Sequence, residues 1–238
     1  MQFVKAITKQ ILWKLGCQVI PNQPIEEVAF SVRLKNLLSH HAINCVLDIG
    51  ANRGQYARFL RNECGYEGLI VSYEPIGEVF AELEKAAAED PMWLVRNVAL
   101  GSENGQAPLN VMQSDVFSSF LEPSADMVEH WVDANKTVNK EVVQVCRLDT
   151  EDLPSGAIIH LKIDTQGYDL EVLKGADVLM DAVQSAQAEL AFRTVYEDAP
   201  QWVETISAFT AKGLKFAGSY GISYDKMALI SADGLFTK

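Results

Sequence analysis

The stretch Val46-Leu47-Asp48-Ile49-Gly50-Ala51-Asn52-Arg53-Gly54-Gln55-Tyr56 decides the fold. Val46, Leu47 and Ile49 form the short apolar run that a buried parallel strand requires. Glycines follow at once, and Tyr56, Phe59 and Leu60 then fall at helical spacing. Strand, glycine turn and helix open a βαβ nucleotide site, where glycine lets the backbone come close to a ligand. A dinucleotide fingerprint reads G-x-G-x-x-G, whereas here Gly50 and Gly54 flank Asn52, with Asp48 two residues before the first glycine. No Lys-Ser/Thr pair follows, which excludes a phosphate-cradling P-loop. D-x-G-x-N-x-G is instead the pattern expected of an S-adenosylmethionine site, whose turn accepts an amino-acid carboxylate and a ribose but no pyrophosphate. The bland alternative is a glycine turn with no cofactor.

Downstream, Gly68 to Pro75 reads as a second strand closed by Glu74. A carboxylate at this strand end accepts hydrogen bonds from ribose hydroxyls in nucleoside-binding α/β folds, so Glu74 is the ribose candidate. Residues 78–89 read as a helix stopped by Asp90-Pro91, and residues 92–100 as the third strand. Leu109 to Met112 reads as a returning hairpin strand and residues 141–148 as another. Between them residues 113–140 are polar and irregular, carry His130 and Trp131, and have the length of a lid or binding loop. Ala157 to Asp164 is a further core strand on which His160, Lys162 and Asp164 share one face by the period of two. Buried charges need partners, which places Lys162 and Asp164 at the strand's wet carboxyl end. A helix around Leu170 to Leu179 follows, then a strand over residues 183–192 carrying Glu189, a helix over 201–211, and closing strands after Leu214. Strands alternating with helices and ending in a strand pair predict a doubly wound sheet with an antiparallel edge.

Upstream, Phe3, Val4, Ile7, Ile11, Leu12 and Leu15 share one helical face with lysines elsewhere. Such a helix packs on the domain or on a second subunit, which would make a homodimer; an interfacial membrane helix is the other reading. Residues 25–41 form a second helix with Leu34, Leu37 and Leu38 inward, and His40-His41 at its end complement the helix dipole. Residues 1–44 are therefore an N-terminal helical extension to a domain spanning 45–238.

The totals limit the function. At 238 residues and 48% hydrophobic the chain can bury a full core. A net charge of −12 repels phosphate, so nucleic-acid substrates are not expected. Cys17, Cys45, Cys64 and Cys146 lie far apart with no C-x-x-C, which argues for free thiols in a reducing compartment rather than zinc. No apolar run approaches ~20 residues, so no integral membrane segment is expected and a cytoplasmic location is.

With these pieces placed, the chain resembles the FkbM family of S-adenosylmethionine-dependent methyltransferases. The resemblance rests on Asp48 to Gly54, Tyr73-Glu74-Pro75, Asn97-Val98-Ala99-Leu100-Gly101, and Leu161 to Gly167 with its Leu173-Lys174-Gly175-Ala176 extension, and covers about residues 42–238. It implies an α/β, Rossmann-like class I methyltransferase fold with a doubly wound seven-stranded sheet and an antiparallel edge strand. It also implies S-adenosylmethionine as cofactor and methyl transfer to a hydroxyl of a small molecule, a sugar or glycan or a polyketide-type product. By carry-over, Asp48, Gly50, Asn52 and Gly54 face the methionine moiety, Glu74 the ribose, and Asn97 with Ala99 the adenine edge. Asp164 and Lys162 then stand between cofactor and acceptor. Many members have a glutamate where this chain has Gln166, and the neutral amide weakens a metal or base role there. Asp164 is the first candidate base, with Glu189, His160 and His130 behind it. Asp164 and Glu189 could share a metal, but no third ligand can be named, so no metal is expected. Two rival functions remain, a nicotinamide-dependent oxidoreductase lacking its third glycine and a non-catalytic S-adenosylmethionine-binding scaffold.

Overall fold

The computed structural model describes residues 25–125 and 131–238. The amphipathic segment 3–15, Cys17 and His130 lie outside the described residues. Helix α1 (Ile25–His40) precedes strand β1 (Cys45–Ile49), and α2 (Gln55–Phe59) continues into one π-helical turn, Leu60–Cys64. Then come β2 (Leu69–Tyr73), α3 (Gly77–Ala87), β3 (Trp93–Arg96), β4 (Ala99–Leu100), β5 (Gly105–Met112) and β6 (Thr137–Cys146). Strand β7 (Ile159–Ile163), α4 (Asp169–Lys174), β8 (Val183–Ala191), α5 (Trp202–Ala211), β9 (Lys215–Asp225) and β10 (Ala228–Thr237) complete the chain.

Seven strands form the main sheet in the order β3-β2-β1-β7-β8-β10-β9. Strands β1, β2, β3, β7 and β8 are parallel, while β10 runs antiparallel to both β8 and β9, so a hairpin forms one edge. Every residue of β1 and of β7 is buried, as the apolar runs at the sheet centre require. One core on the sheet's first face joins Leu34, Leu37 and Leu38 of α1 to Ala57 and Leu60; the other joins Leu161, Val172, Leu173 and Phe209. The chain winds outward from β1 in one direction and from β7 in the other. Ligands bind open α/β sheets at such a switch point, outside the carboxyl ends of the strands.

The expected third strand over 92–100 is in fact two. Asn97 donates from Nδ2 to the carbonyls of Glu74 (2.9 Å) and Pro75 (3.0 Å), which takes the chain out of the β2 ladder after Arg96. Ala99 and Leu100 then pair with β6 in a second sheet of order β4-β6-β5, which lies beside the carboxyl end of β2. The closing strands are longer than expected, with register shifts along the β9–β10 ladder. Among the described cysteines Cys45 and Cys64 are buried and Cys146 is half-buried, all as free thiols. No helix among the described residues is long and apolar enough to cross a membrane.

Candidate active site

A cavity of about 670 Å³ opens at the carboxyl ends of β1, β2 and β7. Gly50, Asn52, Glu74, Ala99, Lys162 and Asp164 all line it, whereas Asp48, Gly54, Asn97 and Glu189 do not. The first six come from four separate sequence stretches; the parallel register of β1 with β2 and β7 brings five to one edge, and Ala99 joins them from β4 of the second sheet.

Gly50 makes that convergence possible. It adopts φ +74°, and a Cβ there would lie 1.9 Å from the backbone oxygen of Asp164. Only glycine lets the β1 turn close against the end of β7. Asn52 follows, also in the left-handed region at φ +47°. Its backbone N–H donates to Glu74 Oε2 (3.0 Å), and the Ile76 N–H donates to Oε1 (2.9 Å). Burial pushes the Glu74 carboxyl up to about 7, against the pull of these two donors. One face of the cavity beyond it is apolar, formed by Ile76, Val98, Leu109 and Phe120.

Asp48 is fully buried behind the turn. It accepts from Ser72 Oγ (3.1 Å), which in turn accepts from Trp93 Nε1 (2.9 Å), and it forms an ion pair with Lys162 at 3.2 Å. Gly54 starts α2 with its Cα packed against Trp93. Asn97 is the backbone clamp already described.

Lys162 joins the two halves of the site. Its Nζ donates to the Gly50 carbonyl (3.2 Å) and lies 3.5 Å from Asp164 Oδ2. Burial pulls its pKa down, but Asp48 and Asp164 more than offset this and hold it above the usual ammonium range. Asp164 itself is half-exposed to the cavity, and its other oxygen, Oδ1, accepts from Gln166 Nε2 at 2.7 Å. Gln166 stands at φ +53° with its Oε1 accepting from Tyr196 (3.0 Å). The amide therefore orients Asp164 rather than merely removing a carboxylate. Asp169 fixes the intervening turn by accepting from the Thr165 N–H (2.8 Å) and hydroxyl.

Several lining residues lie outside the motifs read from the sequence. Phe30 comes from α1, Asp115 and Ser118 from the 113–140 segment, and Gln187 and Asp233 from β8 and β10. Asp115 forms an ion pair with Arg53 of the β1 turn, which also pairs with Glu82 at 2.6 Å. Behind Lys162, Tyr56 donates its hydroxyl to Gln187 Oε1 (3.1 Å) and lies 3.0 Å from His160 Nε2, while His160 Nδ1 meets Ser185 Oγ at 2.8 Å. Burial pushes His160 down to about 3, so it is neutral. With the Tyr56 proton given to Gln187, Nε2 carries the imidazole hydrogen and Nδ1 accepts from Ser185. Glu189 lies farther along β8, its carboxyl pushed up to about 8 by burial and by Asp164 and Asp169. No group of His, Cys, Asp or Glu side chains among the described residues has the geometry of a metal site.

The strand order and the placement of the cavity are those of a class I methyltransferase. The sequence says which kind: a family model for the methyltransferase FkbM domain matches residues 48–216, and the chain belongs to that family of S-adenosylmethionine-dependent methyltransferases. No curated protein sequence matches it significantly. Among solved structures, the 1,6-didemethyltoxoflavin-N1-methyltransferase of Burkholderia thailandensis, with S-adenosylhomocysteine bound, is similar at 9% identity and TM-score 0.50, over 90% of this chain and 79% of that one. Aeropyrum pernix fibrillarin with S-adenosyl-L-methionine is similar at 12% identity and TM-score 0.48, over 89% and 76%. Synechocystis magnesium protoporphyrin IX methyltransferase is similar at 10% identity and TM-score 0.45, over 98% and 96%. At these identities the first likeness speaks for the fold alone.

Proposed function

We propose that the cavity holds S-adenosylmethionine across the ends of β1 and β2 and that the enzyme methylates a hydroxyl of a small molecule, a sugar or glycan or a polyketide-type product. One observation carries this reading: Glu74 and Asp164, carboxylates suited to a ribose and to an acceptor hydroxyl, face one cavity from strands on either side of β1. The donor set fits the cofactor. Glu74 keeps lone pairs free for ribose hydroxyls beyond its two backbone donors, Ile76, Val98 and Leu109 offer an apolar slot for a base, and the turn from Gly50 to Asn52 brings backbone close. Asp48, Gly54 and Asn97 serve the cofactor from behind, by holding that turn and the end of β2.

When bound, S-adenosylmethionine supplies an electrophilic methyl group to a nucleophile aligned with its carbon–sulfur bond. Asp164 accepts the proton of the acceptor hydroxyl as the oxygen attacks. Lys162 and Gln166 each hold one oxygen of Asp164, so the carboxylate need not reorganise. Glu189 does not line the cavity and its raised carboxyl holds a proton near neutral pH, so the base role falls to Asp164. Residues 113–140 form part of the acceptor pocket through Asp115, Val116, Ser118 and Phe120. The free thiols of Cys45 and Cys64 fit a cytoplasmic setting.

Calorimetry with S-adenosylhomocysteine and with NADH, followed by label transfer from methyl-labelled cofactor, tests the proposal. Heat of binding with the first ligand only is expected. Binding of NADH without S-adenosylhomocysteine would return the cavity to the oxidoreductases.

A further inference from the structure

We propose that Gln187, Asp233 and the space over Gly221 form the acceptor subsite, and that the acceptor is a hydroxylated compound, neutral or amine-bearing, with no phosphate or carboxylate beside its reacting hydroxyl. This rests on the reading above that the cavity is the methyl-transfer site. The three residues come from β8, β10 and β9, and all line the cavity, as Lys162 and Asp164 do. Gln187 is aligned with Lys162 in the β7–β8 ladder, so both point toward the same edge. Asp233 is aligned with Glu189 on one side and Tyr220 on the other.

Gly221 has φ +57°, and a Cβ built there would lie 2.5 Å from Asp233 Oδ2. Any side chain at 221 would displace the carboxylate, so the backbone of β9 is shaped to leave it room. Gln187 holds the carboxylate with a side-chain hydrogen bond, and its own amide oxygen is held by Tyr56. Asp233 forms no ion pair among the described residues. Lys162 acts on this carboxylate only from beyond ion-pair distance, so a half-buried charge is left that a hydroxyl or ammonium donor would stabilise. Burial and the nearby Asp164 push its pKa up to about 6, in line with a charge awaiting a donor.

The charge around the cavity narrows the donor. Among the described residues, Glu26, Glu27, Glu74, Asp115, Asp164 and Asp233 line it against Lys162. Asp115 is answered by Arg53, and Lys162 is already shared between Asp48 and Asp164. Among the described residues no lining cation remains for an anionic acceptor, and a phosphate or carboxylate would meet Asp164 and Asp233 directly. Like charge at close range rejects a ligand as effectively as a clash. Hydroxyl and ammonium donors instead find the carboxylates of Asp164 and Asp233 as acceptors.

The test is methyl transfer from labelled S-adenosylmethionine to a library of sugars, polyols and macrolide alcohols, each neutral compound paired with amine-bearing and phosphorylated or carboxylated counterparts. Turnover of neutral or amine-bearing members, with their anionic counterparts at least tenfold lower in kcat/KM, is expected. Asp233→Asn should raise KM for an accepted compound about tenfold while the Kd of S-adenosylhomocysteine stays unchanged. Asp233→Lys should let anionic members in. Preference for an anionic member, an unchanged KM in Asp233→Asn, or no turnover of any neutral or amine-bearing member by protein that binds S-adenosylhomocysteine would each overturn the subsite. Wild-type protein that does not bind S-adenosylhomocysteine would instead overturn the methyltransferase reading on which it rests.

Discussion

The two ends of the cavity are built differently. At the β1–β2 end, backbone does the holding: Glu74 receives two backbone N–H groups, Asn97 grips two backbone carbonyls, and Gly50 presses against the backbone of Asp164. At the β7–β8–β10 end, side chains hold side chains. Lys162, Asp164, Gln166 and Tyr196 form one chain of contacts, and Ser185, His160, Tyr56, Gln187 and Asp233 another. A backbone-built end suits a ligand that never varies, because its donors and acceptors are the same in any sequence that keeps the turn. A side-chain-built end can be re-specified one substitution at a time without disturbing the sheet. That difference supports the proposal that the constant cofactor takes the first end and the variable acceptor the second.

The largest effect should separate the ends most sharply. Asp164→Asn keeps the shape of the side chain and removes the proton acceptor, so turnover should fall about 10²-fold or more, within the range a general base contributes. The Kd of S-adenosylhomocysteine should move by no more than a few-fold. Label transfer and calorimetry on the same preparation measure both, and near-normal turnover would take the base role away from Asp164.

Glu74→Ala should do the converse. Loss of a charge-assisted hydrogen bond to ribose is worth about 1.5–3 kcal/mol, so cofactor affinity should weaken roughly tenfold or more. At saturating cofactor, KM for the acceptor should hold steady. A folded variant with unchanged affinity would take Glu74 out of the cofactor end and dissolve the distinction.

A smaller effect is expected at Gln166, which links the acceptor end to Tyr196. Gln166→Ala removes one donor from Asp164 and one acceptor from Tyr196. A neutral hydrogen bond contributes about 0.5–1.5 kcal/mol, so kcat should drop about three- to tenfold with cofactor binding unaltered. Equal kcat in variant and wild type would show that Lys162 alone suffices to orient Asp164.

The same difference explains what the sequence revealed. The proposed cofactor end lies in local stretches, a strand, its glycine turn and the acidic end of the next strand, so spacing alone pointed to Gly50, Asn52 and Glu74, which line the cavity. The doubly wound sheet with its antiparallel edge followed from the alternation of strand and helix, and its seven strands from the family resemblance. Asp233 and Gln187 sit on strands far apart in the chain, and no local pattern joins them to Gly221; only Asp233, a charge inside the apolar run from Leu229 to Phe236, left a trace. Gln166 was visible as a departure from the family pattern, but its hydrogen bonds to Asp164 and Tyr196 depend on a left-handed turn that spacing does not reveal. The break of the third strand at Asn97 was hidden likewise, since the carbonyls it grips belong to β2 and the turn beyond it.

The least expected effect concerns protons held by carboxyls. Asp169, Glu189 and Asp233 are raised on the acceptor side, to about 6, 8 and 6, and Glu74 alone on the other, to about 7. A carboxyl with a raised folded pKa keeps a proton that the unfolded chain has released. The folded state then binds more protons than the unfolded one, and stability falls as pH rises between the two pKa values. For Glu189 that window runs from its ordinary value near 4.5 to about 8, with the full penalty present above it. His160 acts in the opposite sense: it must stay neutral with a pKa near 3, so it lowers stability only as pH falls below about 6.5. Between pH 7 and 8 Asp169 and Asp233 have largely released their protons and His160 is neutral in both states, which leaves Glu189 as the main contributor with a smaller share from Glu74. The apo protein should lose a few degrees of Tm across that unit, and Glu189→Gln should flatten the loss. Thermal unfolding of the two proteins in matched buffers measures it. Parallel curves would mean that Glu189 is already ionised and paired, and the proton-rich character of the acceptor end would then rest on Asp169 and Asp233 alone.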